Sequence, residues 1–280
     1  MSTFKETAVE ATELFRTFKD GRPDLIDIGI KPVRRHIGGL FGGNIIVIGA
    51  PQNTGKTSTL LEMLVESEHR GGVISTEDGK DVWGARILAK YSDVKPTRIR
   101  KKDLNDGELQ DIRDALKIMP DGHNSPLIEY RIGASLETVV EATHKLRRAG
   151  ARWVALDYLQ KIRGNGSGER RCEVGNTMVS FQRACAEELE GIEGPAVPII
   201  MSQLVRLVPG QEPFPHHCKE SGDIENEARM ILLLWRDAKD PLLLRGKVAK
   251  SSFGGGGLTF SYRFTDAEYL EYVEEDKGKW

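Results

Sequence analysis

The decapeptide Gly49-Ala50-Pro51-Gln52-Asn53-Thr54-Gly55-Lys56-Thr57-Ser58 follows the β-branched run Ile45-Ile46-Val47-Ile48 and precedes a periodic apolar segment containing Leu60, Leu61, Met63 and Leu64. Strand, glycine-punctuated loop and helix in that order form a candidate phosphate cradle, the Walker A arrangement. Backbone N–H groups of such a loop point at phosphate oxygens, and the dipole of the following helix adds partial positive charge there. The spacing assigns close backbone approach to Gly55, the β- and γ-phosphates to Lys56, and ligation of Mg²⁺ to the Thr57 hydroxyl. Ala50 through Ser58 are therefore the candidate nucleotide-binding residues, with Ala50 standing where such loops usually carry glycine.

Three further strand-like runs end in polar groups suited to a phosphate site. Gly71-Gly72-Val73-Ile74-Ser75-Thr76 runs into Glu77-Asp78, Trp153-Val154-Ala155-Leu156 into Asp157, and Pro198-Ile199-Ile200-Met201-Ser202 into Gln203. Ligands of open α/β sheets sit at the carboxyl ends of strands. There Glu77 is a candidate general base polarising water toward a γ-phosphate, although a solvated turn has the same composition. Asp157 ends a Walker B-like strand and is a candidate for holding Mg²⁺ through water, where the competing role is a helix cap. Gln203 is a candidate sensor of the γ-phosphate.

These groups need a sizeable scaffold, and 280 residues with 39% hydrophobic and 29% charged residues supply one. A formal net charge of −2 gives no global attraction to nucleic acid, so any basic surface must be local. There is no run of 18 apolar residues, and the first twenty residues lack the uncharged core of a signal peptide. Three scattered cysteines argue against a disulfide framework and for a reducing cytoplasm.

The pattern predicts a helix over residues 4 to 19, with Phe4, Val9, Ala11, Leu14, Phe15 and Phe18 at helical spacing, and the chain divides into that helix (1–22), one domain (23–265) and an acidic tail (266–280). The stretch carrying Pro32 reads as loop. Residues 80–119 read as helices interrupted near Pro96 and Asn105-Asp106-Gly107, residues 127–131 as a strand, and 136–149 and 178–190 as helices. Residues 204–218, with Pro209, Pro213 and Pro215, read as a long loop of the kind that carries function. Contiguous His216-His217-Cys218 within it is a poor tetrahedral metal set. Residues 230–235 read as a buried strand, and 242–249 with 258–264 as a hairpin around a glycine-rich tip.

Taken together, these segments resemble the RecA-like motor domain of DnaB-type replicative helicases from about residue 30 to 264. The resemblance rests on Ala50-x-x-x-x-Gly55-Lys56-Thr57, Ser75-Thr76-Glu77, Thr97-Arg98-Ile99-Arg100 with Leu104-Asn105-Asp106, Asp157-Tyr158-Leu159-Gln160, Ser202-Gln203-Leu204-x-Arg206, and Glu220-Ser221-Gly222-Asp223-Ile224-Glu225, all in family order. It implies an α/β P-loop NTPase with a mainly parallel twisted sheet flanked by helices and an antiparallel C-terminal hairpin. It further implies ATP and Mg²⁺ as cofactors, a homo-oligomeric, hexameric ring, single-stranded DNA in the channel, a loader or primase partner, and the cytoplasm of a bacterial or phage-infected cell. Arg163, Arg170, Arg171, Arg206 and Lys219, on loops that face the channel in the family, become the candidate DNA contacts.

Two departures from the family pattern are expected to matter. The amino-terminal collar domain is not represented, and residues 4–19 stand where a linker helix packs on the neighbouring protomer. The family's hairpin carries Lys-x-Arg, its arginine reaching a neighbour's γ-phosphate; here Lys250 remains and Ser252 occupies the arginine position. Lys250 is accordingly the candidate catalytic cation in trans, with Lys247 and Arg245 as alternatives. Two other functions stay open: a recombination or loading ATPase that binds DNA without unwinding it, and a weakly hydrolysing nucleotide-dependent scaffold.

Overall fold

The computed structural model describes Lys5 and residues 25–162, 170–208, 210–218 and 221–274. The expected amphipathic helix over residues 4–19, Arg163 and Lys219 lie outside the described residues. Among the described residues, nine strands form a single sheet: β1 (Ile46–Ala50), β2 (Gly71–Ser75), β3 (Leu127–Tyr130), β4 (Trp153–Asp157), β5 (Val197–Gln203), β6 (Met230–Arg236), β7 (Leu243–Ser251), β8 (Thr259–Phe264) and β9 (Leu270–Val273), in the order β3-β2-β4-β5-β1-β6-β7-β8-β9. The pairs from β3 through β6 are parallel, and β6 through β9 are antiparallel. The helices are α1 (Lys31–Ile37), α2 (Lys56–Glu66), α3 (Lys80–Ser92), α4 (Pro96–Lys101), α5 (Asp106–Ile118), α6 (Leu136–Arg148), α7 (Arg170–Ala186) and α8 (Ser221–Glu227). Among the described residues, no helix is long and apolar enough to cross a membrane.

The near-continuous apolar spelling of the parallel strands follows from burial on both faces. Ile46 and Ile48 of β1 join a core with Leu60, Leu61 and Met63 of α2 and Trp83 of α3. Val47 turns the other way, into a core with Val139 and Leu146 of α6 and Met178 and Phe181 of α7.

Four segments differ from their sequence expectation. α1 forms where Pro32 suggested loop, because proline in the first turn is already set at helical φ and Gly38, at φ 87°, closes the helix in the left-handed region. α7 starts eight residues earlier than predicted and ends at Ala186 rather than Glu190. The buried Arg147 guanidinium donates to the Ala184 and Glu187 carbonyls, and Ala196 N–H donates to the Cys185 carbonyl, so the helix end is capped by distant residues. α8 forms over Ser221–Glu227, a stretch to which the sequence assigned no element. In the stretch read as an acidic tail, Leu270 is buried and residues 270–273 pair with β8, extending the sheet past residue 265.

Candidate active site

Strand register brings the predicted residues to one edge. Ser75 pairs with Asp157 across β2 and β4, and Ala50 pairs with Gln203 across β1 and β5; Leu156 pairs with Ile200 between the two couples, so all four strands end on the same edge, with β1 and β5 reaching further than β2 and β4. The β2 and β4 ends are locked together. Thr76 donates its N–H (2.8 Å) and hydroxyl (3.0 Å) to the Asp157 carbonyl, and Tyr158 N–H donates to Thr76 Oγ1 at 3.2 Å.

The loop between β1 and α2 is a tight cradle. Gly55 sits at φ 122°, and a Cβ there would lie 2.8 Å from the Phe264 ring, so glycine is required both by conformation and by space. Lys56 Nζ donates to the Ala50 and Pro51 carbonyls at 3.2 and 3.0 Å, which folds the side chain back over the loop. Thr57 Oγ1 donates to Asp157 Oδ2 at 3.1 Å, setting two hard oxygen donors side by side in a way that fits Mg²⁺. Asp157 is buried. Burial pushes its carboxyl up to about 6 against the pull of the Thr57 hydrogen bond and of Lys56.

Glu77 is half-exposed at the mouth of the site, with Lys161 Nζ 3.5 Å from its carboxylate. Gln203 is oriented by a residue of the Walker B segment: its N–H donates to Gln160 Oε1 at 3.2 Å, and Gln160 Nε2 donates to Ser202 Oγ at 3.0 Å. These groups border a cleft of about 610 Å³, within the usual range for ligand pockets. Lys56, Thr57, Glu77, Gln203, Gln52, Asn53, Gly55 and Ser58 all line it. Ala50 and Pro51 contribute carbonyls behind it, and Thr54 is buried.

The cleft also contains residues that sequence reasoning did not single out. Arg86 of α3 reaches Ser58 Oγ at 3.5 Å, and its buried Nε has no hydrogen-bond partner among the described residues. Burial holds the Asp78 carboxyl above its ordinary value, opposed by Arg86. Arg236 of β6 lies 3.8 Å over the centroid of the Phe264 ring at the other end of the cleft. Neither arginine carries a local signature, because each reaches the cleft only through the packing of α3 or the order of the sheet.

Lys250 is not brought to this cleft. Its Nζ hydrogen-bonds the Glu225 carbonyl, while Arg245 pairs with Asp237 at 3.1 Å and Lys247 with Glu212 at 2.6 Å. An irregularity in the β6–β7 ladder at Ala249 sets Lys250 opposite Ile231, on the same face as Lys247 opposite Leu233 and Arg245 opposite Trp235. Arg206 is exposed on the loop after β5, and Arg170 and Arg171 fall in the first turn of α7.

The sequence profile of the DnaB-like helicase C-terminal domain matches residues 26–250. The chain belongs to this family. Among solved structures, a DnaB-like replicative helicase described with its interactions with primase superposes with a TM-score of 0.79 at 22% identity, covering 98% of this chain and 68% of that one. A second solved structure, described as an ATPase domain, superposes with a TM-score of 0.79 at 20% identity, covering 98% of this chain and 100% of that one. No curated protein matches the chain. The DnaB-like fold explains why the phosphate loop, Walker B strand and glutamine strand share an edge: it is the RecA-like sheet, with β1 between β5 and β6.

Proposed function

We propose that this DnaB-like domain is an ATP-hydrolysing motor that assembles into a hexameric ring and moves along single-stranded DNA during replication. The observation that carries the reading is the convergence of Lys56, the Thr57–Asp157 pair, Glu77 and Gln203 on one edge of the sheet. Lys56 and the loop amides hold the phosphates; Glu77 orients water toward the γ-phosphate and accepts its proton. Thr57, and Asp157 through water, would hold Mg²⁺, which would supply positive charge beside the phosphates. Gln203 registers the γ-phosphate and passes its state to the loop that follows β5.

Two features favour assembly. α5 leaves Leu109 and Leu116, two turns apart on one face, exposed at 36% and 59%, apolar positions that suit the amphipathic segment 4–19 of a neighbouring copy. The cation-bearing face of β7 lies away from its own cleft, as a group acting on a neighbour's nucleotide requires. A loader or primase is the expected partner of the ring.

A second reading is a recombination or loading ATPase that binds DNA without unwinding it, favoured by serine at position 252. ATP turnover measured with and without single-stranded DNA, together with displacement of a forked duplex, separates the two. The motor reading requires DNA-stimulated turnover and strand displacement; stimulated turnover without displacement supports the second reading, and absence of turnover removes both.

A further inference from the structure

The loop that leaves β5 directly after Gln203 is pinned at both ends. Leu204 bridges Cys218, and Val205 N–H donates to the His217 carbonyl at 2.8 Å. Between the pins it presents an aromatic cluster whose leading ring is not used in any core. Phe214 is 50% exposed, and its ring lies parallel to that of His216, with centroids 5.7 Å apart and planes inclined by 5°. His217 stands edge-on to Phe214 at 5.9 Å and tilted against His216 at 4.2 Å.

The cluster is held rigid by its backbone. Phe214 N–H donates to His217 Nδ1 and His217 N–H donates to the Phe214 carbonyl, both at 2.9 Å, around a single turn that starts at Pro215. Fixed rings lose little conformational freedom when something flat packs on them. Glu212, the nearest carboxylate in the loop, is engaged by Lys247 at 2.6 Å, which lessens its repulsion of an anion. Arg206 is exposed near the start of the same loop. Exposed aromatic faces and an exposed cation on one loop, continuous with the nucleotide site, match the chemistry of an unpaired nucleic-acid strand: bases stack on the rings and the cation tracks the backbone.

We infer that Phe214, braced by His216 and His217, is a stacking platform for a base of single-stranded DNA, with Arg206 engaging the phosphate backbone. The inference rests on the single-stranded DNA reading of the preceding subsection and adds to it a contact with the bases. Because every base has a flat face, the platform is sequence-tolerant, as a translocating motor needs. It also ties DNA contact to Gln203 through a few covalently linked residues.

The test compares two fluorescent strands of equal length and charge in the presence of ATP and Mg²⁺: oligothymidylate, and the same strand with abasic residues throughout. The full-length protein should prefer the base-bearing strand by about 5- to 150-fold for one stacked base. Phe214→Ala should bind both strands equally while keeping the salt dependence of binding, Phe214→Trp should keep the preference, and Arg206→Ala should weaken both strands and flatten the salt slope by about one charge. Undiminished preference in Phe214→Ala overturns the platform while leaving the motor reading intact. Failure of the unaltered protein to bind either strand overturns the DNA reading, and the platform with it.

Discussion

At the scale of residues, Lys56 and Glu77 are expected to separate binding from chemistry. Lys56 lies within the loop and Glu77 half-exposed at the mouth of the cleft, so they meet different parts of a bound nucleotide. Lys56→Ala should lose nucleotide affinity, whereas Glu77→Gln should bind as before and lose turnover by about 10²- to 10⁴-fold, the usual contribution of a positioned general base. Fluorescent-nucleotide titration alongside a phosphate-release assay reads both, and equal loss of binding in the two variants would refute the assignment. The residues of this edge were legible in the sequence because Asp157 and Gln203 end strands, Glu77 follows one closely, and Lys56 opens the helix after a loop of fixed spelling. Arg86 and Arg236 were not legible. Their chemistry depends on which helix or strand lies beside the cleft, and nothing local to Gly84-Ala85-Arg86-Ile87 distinguishes an arginine facing a cleft from one on a solvated helix face.

At the scale of elements, α2 and α3 are joined by a buried ion pair, Lys90 Nζ to Glu62 Oε2 at 2.7 Å, with Glu62 only 3% exposed. Burial holds the Glu62 carboxyl above its ordinary value, and Lys90 pulls it back. Lys90→Met would strand a buried carboxylate and should cost about 3 to 5 kcal/mol, while adding Glu62→Leu should recover most of that loss. The pH dependence has a definite sign. A carboxyl raised by folding binds a proton more tightly in the native state, so its contribution to stability is present below the unfolded pKa and is lost as pH rises through the folded one. The single variant, with burial unopposed, should therefore be destabilised more at about pH 8 than at about pH 5 in urea unfolding. A deficit that does not change between the two would show that Glu62 finds another partner. The elements themselves were mostly legible from apolar period and punctuation. The boundaries of α7 and the strand at 270–273 were not, because Arg147 and the free edge of β8 decide them from far along the chain.

At the scale of the assembly, the proposed ring would set the cations of β7 to act on a neighbour's nucleotide. Lys250 offers a point charge where an arginine would offer a planar fork, and an arginine in trans contributes about 10³- to 10⁵-fold in rate in well-studied systems. Lys250→Ala should therefore lower turnover of the assembled protein without changing nucleotide affinity, and Ser252→Arg should raise it. Steady-state ATPase rates across a protein dilution series would show whether both effects vanish as the oligomer dissociates. Unchanged turnover in Lys250→Ala would remove that residue from the reaction.

The phosphate loop, the Asp157 strand, the Gln203 strand and the α/β class were determined by the sequence itself. Each is a short-range pattern in which residue type and spacing are set by local backbone geometry and by phosphate chemistry. Only the tertiary structure decided what meets at the cleft and what does not. Sheet order and register set Ala50 opposite Gln203 and Ser75 opposite Asp157, bring Phe264 against Gly55, and turn Lys250 toward a different surface. It also stacked Phe214 on His216 in a stretch that sequence offered only as loop. Contacts of this kind join residues far apart in the chain or fix rings by a turn, and no local pattern of residues encodes either.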